Sequence, residues 1–143
     1  MRKVRSHLGM RLINRFVSAR ARRSGRRVMG MQLLVLHTVG RKTGRPRQSP
    51  VAWFPDGDDR WLIAASAAGA DAGPDWYHNM QAHPDQVAIE LNGRGLLPVT
   101  AAELTGADRA RVWDEIVMAA PRFGNYQSRT DRIIPVVRLT PLR

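Results

Sequence analysis

Most apolar residues of this chain come in short runs bounded by glycine, proline and aspartate, the pattern of strands and turns. Leu33-Leu34-Val35-Leu36 leads into Gly40-Arg41-Lys42-Thr43-Gly44-Arg45-Pro46-Arg47, and Val51-Ala52-Trp53-Phe54 leads out. Two apolar runs around such a loop predict a β-hairpin, with strands over 31–39 and 48–54. Pro55-Asp56-Gly57-Asp58-Asp59 reads as a plain turn; its acids lack the spacing and closing glutamate of a calcium loop. A third strand is expected over 61–65, followed by a small-residue loop over 66–73 that lets a ligand approach the backbone closely. Val87, Ile89 and Leu91 alternate along a fourth strand, 86–91. Asn92-Gly93, the strongest hairpin signal in the chain, links it to a fifth, 96–103. The last strand covers 133–139.

Helical spacing appears three times. Leu8, Leu12, Phe16 and Ala19 form a stripe over 4–24, with Arg11, Arg15 and Arg22 off it. This is either a basic amphipathic helix lying on a membrane or a helix packed on the core with a solvated basic face. A short helix runs from Pro74 through Trp76, Tyr77 and Met80 to about residue 82, stopped by His83-Pro84. Thr105, with Asp108 three residues on, opens another, whose apolar face is Val112, Ile116 and Ala119 and which Pro121 ends. Residues 123–128 form a short segment carrying Tyr126. Six strands, mostly hairpin-linked, with peripheral helices predict an antiparallel α+β barrel. The chain divides into a basic N-terminal extension, 1–30, and one domain, 31–143.

Charge sharpens this division. The 143 residues carry a formal net charge of +11, yet all twelve acids lie at or beyond Asp56. Fourteen cations precede that point, so the N-terminal third should face something anionic: a phosphorylated cofactor, a lipid surface or nucleic acid. Few aromatics interleave the arginines, so nucleic-acid stacking is poorly supported and no nucleic-acid partner is expected. The chain has no cysteine, which excludes disulfides, thiolate metal sites and a cysteine nucleophile. No apolar run is long enough to span a bilayer. Arg26-Arg27 precedes an apolar run, as in an export signal, but that run is needed as a strand and no cleavage site follows. A cytoplasmic protein is expected, with peripheral attachment to anionic membrane through the N-terminal helix as an option.

The residues offer little chemistry of their own. His7, His37, His78 and His83 lack metal-ligand spacing, Ser66 is not in a nucleophile elbow, and no paired carboxylates stand out. Any demanding chemistry must come from a bound cofactor. Arg41, Lys42, Arg45 and Arg47 on a glycine loop suit a phosphate or carboxylate ligand, although a solvated basic turn has the same composition. The loop is neither a Walker A sequence nor a dinucleotide fingerprint.

Several ordered motifs now coincide. They are the 40–47 loop, Pro50, Ala65-Ser66 with Gly69, Pro74-x-Trp76-Tyr77-x-Asn79, and Tyr126-Gln127-x-x-Thr130-Asp131-Arg132-x-Ile134-Pro135-Val136. With them the chain resembles the deazaflavin-dependent nitroreductases, the A branch of the flavin/deazaflavin oxidoreductases, from about residue 33 to 139. The resemblance implies a split β-barrel and the deazaflavin coenzyme F-420, whose phosphate and polyglutamate tail agree with a basic loop; flavin mononucleotide (FMN) is the alternative cofactor. It implies that Arg41, Lys42 and Arg47 hold phosphate and tail. It places Ser49, Pro50, Ala64, Ala65 and Ser66 around the deazaflavin, with Trp76 and Asn79 shaping the groove or, for Trp76, filling the core. Hydride would pass to a small-molecule acceptor such as a quinone, an activated alkene or a nitroaromatic, with Ser66 or water, then Tyr126, on the proton side. A cofactor-binding barrel without turnover is the second reading, and monomer and homodimer are both compatible. The chain departs from the family's Ser-x-Gly-Gly at Ala68, which makes the loop less permissive, and at Ala52, Ala120 and Phe123, where tyrosines are usual. The replaced tyrosines imply a more apolar substrate pocket.

Overall fold

Residues 27–28, 31–91 and 93–142 are described by the structure, a computed structural model. The helix expected over 4–24 and the asparagine of the 92–93 turn lie outside them.

The hairpin around the cationic loop is the longest ladder of the fold. Strand β1 (Arg27–Val28) leads into β2 (Met31–Val39), which pairs antiparallel with β3 (Pro46–Ala52) from Leu33↔Ala52 to Val39↔Pro46. Beyond Trp53 the chain resumes as β4 (Phe54–Pro55) and returns as β5 (Trp61–Ala64). A single 3-10 turn (Ala67–Gly69) precedes helix α1 (Asp75–Ala82). Strands β6 (Ala88–Glu90) and β7 (Leu97–Glu103), helices α2 (Gly106–Ala119) and α3 (Arg122–Ser128), and strand β8 (Val136–Pro141) complete the described chain.

Among the described residues every pairing is antiparallel, and the path across the sheet is β3-β2-β6-β7-β8-β5-β4. Its two ends, β3 and β4, are separated in sequence by Trp53 alone. The sheet must therefore curl until its edges approach, which is the split barrel that the resemblance implies.

Side chains alternate across the curled sheet, and each set finds its own core. Leu34, Leu36, Val51, Ile63, Ile89, Val99, Val137 and Leu139 point into the barrel, where Trp76 and Met80 of α1 close one side. Leu62, Ala64 and Val136 point outward and are covered by Val112 and Ile116 of α2 and Phe123 of α3. Ion pairs add to this outer layer. Arg138 on β8 donates through Nε to Asp56 Oδ2 at 2.6 Å and through Nη1 to Asp108 Oδ2 at 3.3 Å. Asp56, expected in a plain turn, is thus tied to the sheet.

Several elements differ from expectation, among them the last strand, which begins at Val136 rather than at residue 133 and runs to Pro141. The second expected strand is two, because it breaks at Trp53 as the chain crosses from one sheet edge to the other. Residues 122–128 are a helix; with Gly124 and Asn125 at their centre they carry neither propensity nor an apolar period. The turn after β6 keeps its tight hydrogen bond, Arg94 N–H to Leu91 O at 3.0 Å, but the ladder closes only at Ile89↔Leu97. A second left-handed glycine, Gly95, widens the connection beyond a two-residue hairpin.

Candidate functional site

The cationic loop is closed by its own backbone: Gly40 N–H donates to Arg45 O and Gly44 N–H to Gly40 O, both at 2.9 Å. Gly40 is buried, and a Cβ there would lie 2.7 Å from Thr43 Oγ1 and 3.4 Å from Arg47 Nε. The missing side chain lets Thr43 and the Arg47 guanidinium lie across the loop.

Helix α1 braces the loop from the side. Arg41 donates its backbone N–H at 3.1 Å and its Nη1 at 2.9 Å to the Asn79 Oδ1, and its Nη2 at 3.2 Å to Asp75 Oδ1. Asn79 is only 5% exposed, so both lone pairs of its carbonyl are used inside the protein. The resemblance places both residues against the cofactor; the structure makes them the joint between loop and helix. Trp76, which the sequence leaves between groove and core, sits in the barrel interior. The remaining loop cations differ from Arg41. Lys42 and Arg45 are exposed, Arg47 is half-buried, and none of the three forms an ion pair with a described residue.

Strand geometry divides the residues expected around the ring. Ser49 pairs with Leu36 and shares the inward face with Arg47 and Val51, whereas Pro50 pairs with Val35 and points outward with Ala52. Ser49, Pro50 and Ala52 are half-buried. Ala65 is fully buried and its N–H donates to Pro135 O at 2.9 Å, while Ala64 faces the outer core. Neither alanine methyl lies on the surface.

Beyond Ala65 the backbone turns under strain. Ala67 (φ 45) and Ala68 (φ 54) are both left-handed, a conformation that costs an L-residue about 1–2 kcal/mol. Gly69 (φ 84) follows, buried against α3. Arg132, in the loop between α3 and β8, spans the turn: Nη2 donates to Ser66 O and Nε to Ala70 O, both at 2.8 Å. Thr130 Oγ1 donates to Asp71 Oδ1 at 3.0 Å. Gln127 fixes the clamp in turn, donating Nε2 to Arg132 O at 2.7 Å and accepting Ile134 N–H on Oε1 at 3.0 Å. Ser66 is half-buried and its hydroxyl makes no capping bond. Sequence reasoning missed this clamp, although its residues stand together in the 126–136 motif without an assigned part.

Tyr126 joins the turn through α3, on which Gly69 packs. Its ring meets Phe123 edge-on at 5.4 Å, and Phe123 meets Phe54 at 5.5 Å. Phe123 and Ala120 are buried in the outer core, 4% and 8% exposed, rather than lining an open pocket. The family's tyrosine positions are here filled by packing groups. Tyr126 and Ala52 stay half-buried beside them.

On α1, Tyr77 donates its hydroxyl to Glu103 and accepts Gln81 Nε2 at 3.0 Å, bordering a cleft of about 110 Å³ floored by Met80 and Val137. Partial burial, then the hydrogen bond to the Glu103 carboxylate, pushes the phenol from 10.0 up to about 12. The neutral phenol is therefore favoured by folding, and its contribution is present below pH 10 and lost as pH rises towards 12. With two tyrosines in the chain, ultraviolet titration should show one phenol ionising late, and Tyr77→Phe should remove that phase. A single transition near pH 10 in the folded wild type would contradict the Glu103 bond.

Among the described residues no helix is long and apolar enough to cross a membrane. The family model described as F420H(2)-dependent quinone reductase matches residues 9–141. The chain is 45% identical over 124 residues to a Mycobacterium tuberculosis (strain ATCC 25618 / H37Rv) protein named as an F420H(2)-dependent quinone reductase, covering 82% of this chain and 80% of that protein. Among solved structures it is similar to an F420-H2 dependent reductase at 33% identity and TM-score 0.64, over 75% of this chain and 92% of the other. A structure described as a domain-swapped dimer matches at 31% identity and TM-score 0.66, over 95% and 96% of the two chains. The barrel, the basic loop and a match across nearly the whole chain agree: this is an F-420-dependent oxidoreductase, and the chain belongs to the F420H(2)-dependent quinone reductase family.

Proposed function

We propose that the protein reduces a quinone-type acceptor, and that Lys42, Arg45 and Arg47 hold the phosphate and acidic tail of F-420. The observation that carries this reading is the cation cluster itself. Three of its four side chains have no carboxylate partner among the described residues, and they surround a loop that Arg41 and Asn79 hold rigid. A phosphate and a glutamate tail supply the anions such a cluster lacks. When bound in its reduced form, F-420 supplies a hydride. The protein's part is to hold acceptor and cofactor together and to provide a proton.

Ser66 suits the proton side because its hydroxyl is not spent on capping the turn it opens. Tyr126, half-buried on the neighbouring helix, is the second donor. An acceptor gaining a hydride builds negative charge on its oxygens, which such donors stabilise. The surroundings are otherwise apolar: Ala52 and Tyr126 are partly accessible, with Ala64, Ala120 and Phe123 packed behind them. A quinone is the acceptor named for the relatives. A homodimer is favoured over a monomer by the domain-swapped neighbour. Membrane contact through residues 4–24 rests on the sequence alone.

Fluorescence titration with F-420 and with FMN, followed by a quinone-reduction assay, tests the reading. Tighter binding of F-420 and quinone-dependent oxidation of its reduced form are expected. An equal or reversed preference would overturn it.

A further inference from the structure

We propose that Arg132 is a positioning residue for the reaction: its guanidinium holds the Ser66–Gly69 turn in a conformation the turn does not prefer, and so fixes Ser66 at the cofactor. The inference rests on the reading that Ser66 faces the deazaflavin.

Three consecutive residues, Ala67, Ala68 and Gly69, have positive φ, and two of them carry a Cβ. Non-glycine residues persist in that region where their surroundings over-determine them, and such places cluster at functional sites. Here the surroundings are identifiable. Arg132 reaches the two ends of the turn with two donors of one planar group, at 2.8 Å to Ser66 O and 2.8 Å to Ala70 O. The group is itself preset, because Gln127 holds the Arg132 carbonyl and Arg132 N–H donates to Thr130 Oγ1 at 3.3 Å. Within the turn, Gly69 N–H donates to Ser66 O at 2.8 Å and Ala70 N–H to Ala67 O at 3.0 Å. Lysine offers rotatable donors on a single point charge without the planar fork, so it does not preset the spacing of the two carbonyls.

The clamp is separable from global stability. Its partners are two carbonyls of one turn, whereas Arg138 ties β8 to Asp56 and Asp108 across the outer layer. Arg132→Lys should therefore leave cooperative unfolding intact but shift the amide resonances of residues 66–69 in the protein without cofactor. It should weaken F-420 binding and lower quinone turnover by about tenfold, since small misplacements of reacting groups cost one to two orders of magnitude. Ala68→Gly in the Arg132→Lys background removes the Cβ that opposes the turn. It should restore most of the loss, a coupling that two independent sites would not show. Arg138→Gln serves as the control that lowers stability without moving those resonances or the affinity.

The inference is overturned if Arg132→Lys keeps wild-type amide shifts, affinity and turnover. It is equally overturned if the loss matches that of Arg138→Gln and Ala68→Gly restores nothing. Failure of the wild type to bind F-420 would count against the proposed function instead, leaving the amide shifts to decide whether Arg132 sets the turn.

Discussion

Replacing Lys42 and Arg47 together by alanine is expected to weaken F-420 binding about a hundredfold while leaving thermal unfolding nearly unchanged. Each charge-assisted hydrogen bond to a phosphate or carboxylate is worth about 1.5–3 kcal/mol, and about 1.4 kcal/mol is tenfold in affinity. Each single variant should therefore lose about tenfold or more. Full additivity of two such losses gives about a hundredfold or more, and because the pair shares one anionic ligand, incomplete additivity would bring the loss below that sum. Stability is spared because neither side chain forms an ion pair with a described residue. Arg41→Ala should behave differently. It leaves the buried Asn79 carbonyl with only the backbone N–H of residue 41, so affinity and melting temperature should fall together. Raising ionic strength should weaken wild-type binding more than that of the double variant, since exposed charges are screened. Wild-type affinity in the double variant, by fluorescence titration at low salt, would show that the loop is a solvated turn.

The strand pattern was legible because period-two alternation and turn residues are local signals. Val87, Ile89 and Leu91 alternate along the fourth strand, Leu33 to Leu36 stand as an apolar run, and Pro55 to Asp59 announces its turn. Helix α3 was not legible, because seven residues centred on Gly124-Asn125 become helical through packing on Gly69 and Val117 rather than through propensity. The candidate site was read in two grades. The cations of the 40–47 loop were visible as composition, but composition cannot tell Arg41, engaged by Asn79, from Lys42, which no carboxylate among the described residues engages. That distinction joins positions 38 residues apart and exists only once α1 lies beside the hairpin. The apolar substitutions at 120 and 123 were visible as departures from a pattern. Their burial was not, because it depends on α2 and α3 folding over β5 and β8. The Arg132 clamp spans 66 and 62 residues to its two acceptors, so the 126–136 motif shows its residues but not what they hold.

Gly69→Ala is expected to destabilise the protein by about 2–5 kcal/mol, combining the backbone cost of a left-handed alanine with forced overpacking. The backbone part follows from φ 84. The packing part follows from what the new methyl would meet: Tyr126 O at 2.6 Å, Arg129 Cβ at 3.0 Å and Tyr126 Cα at 3.1 Å. Two of these atoms are helix backbone, which cannot rotate away as a side chain does. Gly95 separates the two contributions, since it has the same φ of 84 but a methyl added there would meet nothing within 4 Å. Gly95→Ala should therefore cost only the backbone share, about 1–2 kcal/mol. Urea denaturation of the two variants gives the clash as their difference. The functional consequence runs through α3. If the helix yields to make room, Tyr126 moves with it and the Ser66 turn loses the surface it rests on. The folded fraction of Gly69→Ala should then bind F-420 less tightly than Gly95→Ala does at the same temperature. Equal stability in the two variants would mean that α3 moves aside freely, and the turn would then be held by Arg132 alone.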